Sequence, residues 1–303
     1  MGDDMKALFI INPVAGKGKS EQIIRSFEPI IEGKMPYIIE TTKAKGEAAE
    51  IVKHYTSQED YLVFAVGGDG TVNEVVNGMA GTNSSLAILP TGSGNDFVRS
   101  IYGKYTIEEL LIDLLEGKDE AIDLVKIGKR YFLNISSVGL DAEVVYNANQ
   151  YKKIKFIKKD MAYVFSLFKT IFGPKGTQAK VIMDGKEICD EPILLLAVAN
   201  GAFYGGGIPM VPTAKINDQL LEVCLVRETR LRKIIKVLPK VFKAEHINTP
   251  EVELYKAKEI EIEAKDGCKL NIDGEIVKAH KIKMNIVPQG IKMRIPAKNQ
   301  LGI

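Results

Sequence analysis

Strand-length apolar runs alternate with amphipathic stretches along the first 115 residues of the chain. The strand-length runs are residues 8–11, 37–41, 62–66 and 85–89. Apolar positions spaced by three and four residues predict helices that begin near Ser20 and cover 47–55, 71–79 and 107–115. Because strands and helices alternate, the pattern predicts a parallel, doubly wound sheet with its ligand at the carboxyl ends of the strands.

The pattern changes near Glu120, and the rest of the chain reads mainly as strands. Residues 259–263 alternate strictly between charged and apolar, which is typical of a strand with one wet face. Asp-Gly pairs signal hairpin turns, and they occur at 184–185, 266–267 and 273–274. These features predict an antiparallel β domain.

A glycine-rich turn follows the strand at 62–66 and precedes a helix. Its glycines, Gly67, Gly68 and Gly70, permit a close approach to the main chain, and Thr71 with Glu74 forms a capping-box sequence. Free N–H groups at the start of a helix favour phosphate. A carboxylate inside such a turn repels phosphate unless a cation lies between them, so Asp69 suggests Mg²⁺ and a nucleotide. The alternative is a glycine-rich turn without a ligand.

Two further loops enter helices in the same half of the chain. Residues 12–20 end like a P-loop, but Pro13 stands where that motif requires glycine, so a Walker A loop is rejected. Its small residues and lysines still suit phosphate. Residues 90–97 form a second glycine loop.

Bulk composition narrows the class of protein. The chain has 303 residues, of which 46% are hydrophobic and 26% charged, and its net charge is +2. These values predict a globular protein of two domains without a nucleic-acid signature. Three scattered cysteines in no metal spacing indicate reduced thiols, and we expect a cytoplasmic protein.

Two basic stretches lie in the second half. Residues 151–159 carry five lysines before an apolar helix predicted at 161–172, and residues 227–243 alternate basic and apolar positions. A basic amphipathic helix suits an anionic membrane surface, and a solvated helix face explains the pattern equally well.

Six motifs occur together in one order along nearly the whole chain. They are Asn12-Pro13 with Gly16, residues 67–71, residues 92–97, Asn134 with 139–141, residues 204–207 and residues 271–275. This set resembles the bacterial diacylglycerol kinase family, which includes YegS-like and BmrU-like lipid kinases and is related to sphingosine kinases, NAD kinases and phosphofructokinases. The resemblance implies an NAD kinase-like or phosphofructokinase-like α/β domain at 1–122, onto which 288–303 packs back, and a β-sandwich lipid domain at 123–287.

The resemblance implies a kinase that transfers the γ-phosphate of ATP to a lipid hydroxyl at a membrane surface, with diacylglycerol as the default acceptor. Residues matched to ATP contacts are Asn12, Gly16, Thr42, Gly68, Asp69, Gly70, Thr71, Asn73 and Ser93, and Gly67 of the same turn is expected to join them. Lys17 and Arg99 are expected to neutralise charge on the phosphates, as phosphoryl transfer demands. Residues matched to the Mg²⁺ of the nucleotide are Asp69, Asp96 and Asp123. A second, structural Mg²⁺ is implied at Lys215, Asp218 and Leu220, although Gln219 stands where the family usually has glycine.

For the catalytic base the resemblance indicates the Asp-Gly-Glu turn, and the choice between Asp273 and Glu275 stays open. A plain hairpin is the alternative reading of that turn. Two other functions remain in view: a soluble-substrate kinase of the NAD kinase type, and a nucleotide or lipid sensor without turnover. The acceptor lipid and the oligomeric state, including a homodimer, are undecided at this point.

Overall fold

The computed structural model describes residues 5–18, 20–92, 94–151, 166, 170 and 176–298. Its first half contains a parallel sheet in which β1 lies between β2 and β3, and β4 pairs with β3. The strands are β1 Lys6–Ile11, β2 Tyr37–Thr41, β3 Tyr61–Gly67 and β4 Ser85–Pro90. The helices are α1 Ser20–Ile31, α2 Glu47–Thr56, α3 Asp69–Met79 and α4 Ile107–Leu115. The predicted strands and the four helices listed here are therefore present, whereas the loop at 90–97 leads into a four-residue 3-10 helix, Phe97–Ser100, instead of the α-helix expected there.

The sheet core explains why these runs form central strands. Every residue of β3 is buried, and the ring of Phe9 on β1 stacks on that of Phe64 at 4.4 Å between centroids. A strand that is covered on both faces needs apolar side chains on both, and these continuous apolar runs supply them. The loops that follow β1, β3 and β4 thus emerge together at one edge of the sheet.

The second half is an antiparallel β-sandwich. Its strands are β5 Lys118–Ile127, β6 Arg130–Phe132, β7 Ile135–Gly139, β8 Thr177–Met183, β9 Lys186–Ala199, β10 Leu221–Arg227, β11 Val252–Ala257, β12 Glu259–Ile272 and β13 Glu275–Ile295. Helices α5 Leu140–Tyr151 and α6 Leu231–Val241 pack against it. Strands β9 and β12 pair with β8 along one part and with β7 along another, which folds the sheet over its own apolar core.

The fold overturns one of the three predicted Asp-Gly hairpins. The pairs at 184–185 and 273–274 form turns, whereas Asp266-Gly267 lies inside β12. Register with β13 shifts between Glu263 and Cys268 around it, and Gly267 has φ +75°. This is a β-bulge, which bends a strand at the place where β12 changes partner.

Two predicted helix starts are also wrong. Helix α3 begins at Asp69 with Gly68 at the N-cap and no side-chain cap, so Thr71 and Glu74 form no capping box. Instead, the Glu74 carboxylate accepts the N–H of Gly46 at 2.9 Å. Arg227 belongs to β10 rather than to the basic helix, which starts at Leu231.

Strand β13 joins the two halves. It pairs with β12 and β5, and then Lys292 and Met293 pair in parallel with Ser85 and Leu86 of β4. The turn between β12 and β13 lies against α3, since Asp273 in that turn accepts a hydrogen bond from Asn73. Most of 151–172, with its predicted basic stretch and helix, lies outside the described residues. Within the described ranges, no helix has the length and apolar character needed to cross a bilayer.

Candidate active site

Three loops at the carboxyl ends of β1, β3 and β4 pack backbone against backbone. A Cβ added to Gly92 would meet the Cα of Gly68 at 2.5 Å, and one on Gly16 would meet the carbonyl oxygen of Thr91 at 2.7 Å. The N–H groups of Thr91 and Gly92 both donate to the Gly67 carbonyl, at 3.0 and 3.1 Å. Close approach thus requires glycine at 16 and 92, and it leaves main-chain N–H groups accessible to an anion.

Side chains predicted to contact the nucleotide brace these loops. Asn12 donates to Thr71 Oγ1 at 3.1 Å and accepts the N–H of Val14 at 3.2 Å. Thr42 donates to the Ile11 carbonyl at 3.2 Å. Ser93 lies outside the described residues, and only the backbone of Lys17 is described.

Asp69 and Asp96 form a pair of neighbouring carboxylates beside the glycine turn. Asp69 accepts the N–H groups of Asn95 and Asp96, each at 2.9 Å. Burial, together with the charge of Asp96, raises the pKa of Asp69. Asp96 accepts the N–H of Gly206 through Oδ2 at 2.8 Å, while its buried Oδ1 has no hydrogen bond.

Arg99 supplies a positive charge at the edge of this pair. Its Nε lies 3.4 Å from Asp96 Oδ1, and its Nη2 donates to the Gly94 carbonyl at 3.2 Å. The guanidinium is nearly half exposed, so it is available to a ligand that enters from solvent.

The carboxylate pair fits Mg²⁺. The two adjacent carboxylates repel each other, which a cation between them would relieve, and Mg²⁺ typically takes one or two carboxylates plus waters and phosphate oxygens. No group of three or more His, Cys, Asp or Glu side chains arranged to hold a metal occurs in the described part of the chain. A pair of carboxylates suits a cation that takes its other ligands from water and the phosphates of a nucleotide.

Asp123 is placed differently from the other two predicted Mg²⁺ residues. It is fully buried, and its two oxygens accept the N–H groups of Gln219 and Gln289 at 2.7 and 2.8 Å. Both glutamines have positive φ, at +63° and +53°. The carboxylate therefore holds two strained turns together, and both of its oxygens are occupied.

The predicted second metal position already contains a cation. Asp218 accepts the N–H of Leu220 at 3.2 Å and lies 3.1 Å from the Lys256 ammonium, which also contacts Glu222 at 3.0 Å. Lys215 is exposed. Because Lys256 supplies the positive charge, these residues do not fit a metal ion as arranged.

Asp273 lies in the β12–β13 turn and faces α3. It accepts Asn73 Nδ2 at 3.0 Å and the N–H groups of Leu133 and Ile135 at 3.3 and 3.1 Å. Burial outweighs these hydrogen bonds and raises its pKa to about 6, with a further push from Asp69. A carboxylate with such a pKa is a stronger base than an ordinary aspartate and is still ionised at neutral pH.

Glu275, two residues on, is electrostatically different. Partial burial acts to raise its pKa, but Lys45 and Arg130 together hold the pKa below the usual value. Arg130 donates at 2.6 Å, and Lys45 forms an ion pair with the other oxygen. Glu275 is therefore the weaker base of the two, and it fixes two cations near the turn.

The structure also assigns site residues that the sequence reading missed. Asn77 donates to the Tyr131 carbonyl and accepts the Tyr131 N–H, both at 2.8 Å, which fastens α3 to β6. Asn200 donates to the carbonyls of Asp123 and Leu133 at 3.0 and 2.9 Å. The four-residue spacing of Asn73 and Asn77 put both on one helix face, and that was the available signal.

Comparisons with known proteins agree with this geometry. Residues 6–127 match the family model of the diacylglycerol kinase catalytic domain, and residues 134–295 match that of the YegS C-terminal NAD kinase beta sandwich-like domain. A diacylglycerol kinase of Staphylococcus aureus (strain bovine RF122 / ET3-1) is 30% identical over 277 residues, which are 89% of this chain and 86% of the relative.

Solved structures confirm the fold. The crystal structure of a diacylglycerol kinase from Bacillus anthracis str. Sterne has a TM-score of 0.79 at 24% identity and covers 97% of each chain. An NAD kinase from Archaeoglobus fulgidus, solved in complex with ATP, has a TM-score of 0.53 at 14% identity and covers 98% of this chain and 94% of its own. The expected NAD kinase-like α/β domain followed by a β-sandwich is thus confirmed.

Proposed function

We propose that this chain, which belongs to the bacterial diacylglycerol kinase family, transfers the γ-phosphate of ATP to a lipid hydroxyl, with diacylglycerol as the default acceptor. One observation carries the proposal. Helix α3 begins at the glycine turn and holds Asp273 through Asn73 at 3.0 Å. A single helix thus fixes the distance and orientation between the phosphate-binding turn and the base, and phosphoryl transfer requires such positioning.

The nucleotide phosphates bind at the three convergent loops. Main-chain N–H groups of the glycine turn and the positive end of α3 face the phosphates, while Asn12 and Thr71 hold the first loop against the turn. Arg99, and Lys17 from the first loop, neutralise charge on the transferred group. These roles are inferred from position and from the family.

Asp69 and Asp96 would hold the Mg²⁺ of the nucleotide, and the ion would neutralise charge on the phosphate oxygens during transfer. The backbone donors of Asn95 and Asp96 orient the Asp69 carboxylate, so its position is fixed before the nucleotide arrives. Asp123 supports the site by joining the 219 and 289 turns.

Asp273 is the general base. It accepts the proton of the lipid hydroxyl as that oxygen bonds to the γ-phosphorus, and the bond to the bridging oxygen of ADP breaks. Hydrogen bonds from Asn73, Leu133 and Ile135 orient its oxygens. Glu275 stays ionised and positions Lys45 and Arg130 at the rim of the site.

The basic helix supports a membrane-facing orientation. Arg232, Lys236 and Lys240 are exposed on α6 and have no ion pair within the described part of the chain, and Phe242 next to them is 60% exposed. Free cations beside exposed aromatic surface suit an anionic bilayer. We propose that α6 meets the membrane that supplies the lipid.

The test is a transfer assay with γ-labelled ATP, Mg²⁺ and a mixed lipid extract, followed by a count of label in the organic phase. Label that Asp69→Ala and Asp273→Asn eliminate supports the proposal, and chromatography identifies the acceptor. Asp184→Asn is the matched control, because Asp184 also sits at positive φ in an Asp-Gly turn and accepts two backbone N–H groups, remote from the glycine turn.

The alternative functions give different results in the same assay. A soluble-substrate kinase leaves the organic phase unlabelled and labels NAD instead. A sensor binds ATP and labels neither. Either result, obtained with protein whose ATP binding is intact, would reject the lipid kinase.

A further inference from the structure

A lysine ammonium lies at the place where the family resemblance implies a structural Mg²⁺. The Nζ of Lys256, on β11, is 3.1 Å from Asp218 Oδ2 and 3.0 Å from Glu222 Oε1. Asp218 belongs to the loop before β10, whereas Glu222 lies in β10 directly opposite Lys256 in the pairing of the two strands. One side-chain cation therefore joins a loop to two neighbouring strands of the sandwich.

Each carboxylate oxygen of this cluster already has a partner. Asp218 accepts the N–H of Leu220 through Oδ1 at 3.2 Å, and its Oδ2 contacts the ammonium. Glu222 accepts the Thr213 hydroxyl through Oε2, while its buried Oε1 receives no hydrogen bond from the described residues and is in ion-pair contact with the ammonium. Mg²⁺ needs oxygen ligands at about 2.0–2.1 Å in octahedral geometry, so it would have to displace the lysine from these oxygens.

Burial makes a cation necessary at Glu222. The side chain of Glu222 is 5% exposed, whereas that of Lys256 is 50% exposed. A buried carboxylate is costly unless a cation or hydrogen bonds compensate its charge. Glu222, followed by Asp218, raises the pKa of Lys256, so the lysine is charged at neutral pH. Because an ammonium and a divalent ion at such short range repel each other, the cluster holds one or the other.

The loop that Lys256 secures reaches the buried Asp123. Gln219, the neighbour of Asp218, donates its N–H to Asp123 at 2.7 Å, and the Ile216 carbonyl accepts the Asp123 N–H at 2.7 Å. Gln219 has φ +63°, a conformation that favours glycine and that a glutamine adopts at a cost. The contacts of Asp218 and Asp123 therefore hold this loop in a shape that its own residues do not favour.

We propose that the Lys256 ammonium takes the place of the structural Mg²⁺ in this chain, so that the loop before β10 keeps its fold without a divalent ion. Removal of the ammonium should then create a metal site. Asp218 and Glu222 would be left as two neighbouring carboxylates without a counter-ion, and such a pair suits Mg²⁺ with water as its further ligands. The proposal concerns the sandwich and does not depend on the kinase activity.

Thermal unfolding in EDTA and in millimolar Mg²⁺ tests the proposal. Every protein in the comparison carries Asp69→Asn, which removes the metal response of the proposed nucleotide site. The protein that keeps Lys256 should melt at the same temperature in both conditions. Lys256→Met should melt about 2–6 °C lower in EDTA, because a buried carboxylate oxygen loses its partner, and Mg²⁺ should restore most of that loss. Titration with Mn²⁺, followed by electron paramagnetic resonance, should show one additional bound ion in Lys256→Met.

Lys258→Met is the matched control, because Lys258 is exposed directly after β11 and its ammonium has no ion pair among the described residues. It should melt with the protein that keeps Lys256. If Lys256→Met does not fold, Lys256→Gln replaces it. Stabilisation of the Lys256 protein by Mg²⁺ that Asp218→Asn abolishes overturns the proposal, since a metal then binds beside the lysine. A Lys256→Met protein that melts like the control in EDTA, or that Mg²⁺ does not restore, overturns it as well, since the lysine is then an ordinary surface ion pair.

Discussion

The assignment of Asp273 as base predicts a defined pH dependence. The base acts only when ionised, and its pKa is raised to about 6, so activity is expected to fall as the pH drops through about 6. Below that pH, kcat/KM should lose about a factor of ten per pH unit, because one proton is taken up. An ordinary aspartate, with a pKa of about 3.9, would show no loss in this range.

Asp273→Asn removes the base without changing the shape of the side chain. General base catalysis contributes typically about 10²–10⁴-fold, so kcat should fall by at least about 10². The loss of stability should be small, since two effects oppose each other. A pKa raised from 3.8 to about 6 means that the charged form costs about 3 kcal/mol at neutral pH, less after partial solvent screening, and the amide removes that cost.

The opposing effect is the loss of acceptors. The amide nitrogen leaves one or two of the donors at Asn73, Leu133 and Ile135 unpaired, at about 1–3 kcal/mol each. We therefore expect the free energy of unfolding of Asp273→Asn to stay within about 2 kcal/mol of wild type by this balance. Denaturant titration measures it beside the activity.

Two results would refute this reasoning. One is an Asp273→Asn variant that retains activity within tenfold of wild type at pH 7. The other is a residual rate in that variant that keeps the acid limb near pH 6, since the titrating group would then be a different one. Glu275→Gln provides the contrast: its lowered pKa makes it a poor base, so its loss should leave the position of the limb unchanged.

Three further predictions follow from other contacts of the site. Asn73→Ala removes a hydrogen bond that favours the ionised form of Asp273, so the acid limb of the pH profile should move to higher pH. A limb at the wild-type pH would show that this hydrogen bond does not control the pKa of the base. Asp123→Asn leaves a buried N–H unpaired and should cost about 1–3 kcal/mol of stability by denaturant titration, whereas full stability with weakened Mg²⁺ dependence would indicate a ligand role instead. Lys236→Ala with Lys240→Ala should weaken binding to anionic vesicles by about 2 kcal/mol at low salt, and the control pair Lys53→Ala with Lys104→Ala should not.

Local pattern was enough to predict most elements of the α/β half. Helix 107–115 and the strand at 37–41 have the bounds expected, because the spacing of apolar residues is a property of neighbouring positions in the sequence. The glycines at 16 and 92 also indicated a site, since close backbone approach requires glycine there and is therefore visible in the residue type. What the sequence could not assign is which side chains meet across the molecule.

Asp266-Gly267 and Asp273-Gly274 illustrate that limit. The two dipeptides are identical and lie on one hairpin, yet one is a bulge inside β12 and the other is the turn that carries the base. The difference arises from pairing: β12 must leave β8 and join β7, and a bulge accommodates that bend.

The same pairing with β7 places Asp273 in the site. Residues 270–272 pair with 136–138, and the turn that follows is closed by the Asp273 N–H, which donates to the Ile135 carbonyl at 3.1 Å. The carboxylate then accepts the N–H of Ile135 and meets Asn73 from a helix 200 residues earlier in the chain. Its raised pKa therefore depends on tertiary burial, which no motif records. A change at the bulge that shifted β12 by one residue would turn Asp273 away from α3 while leaving every motif intact.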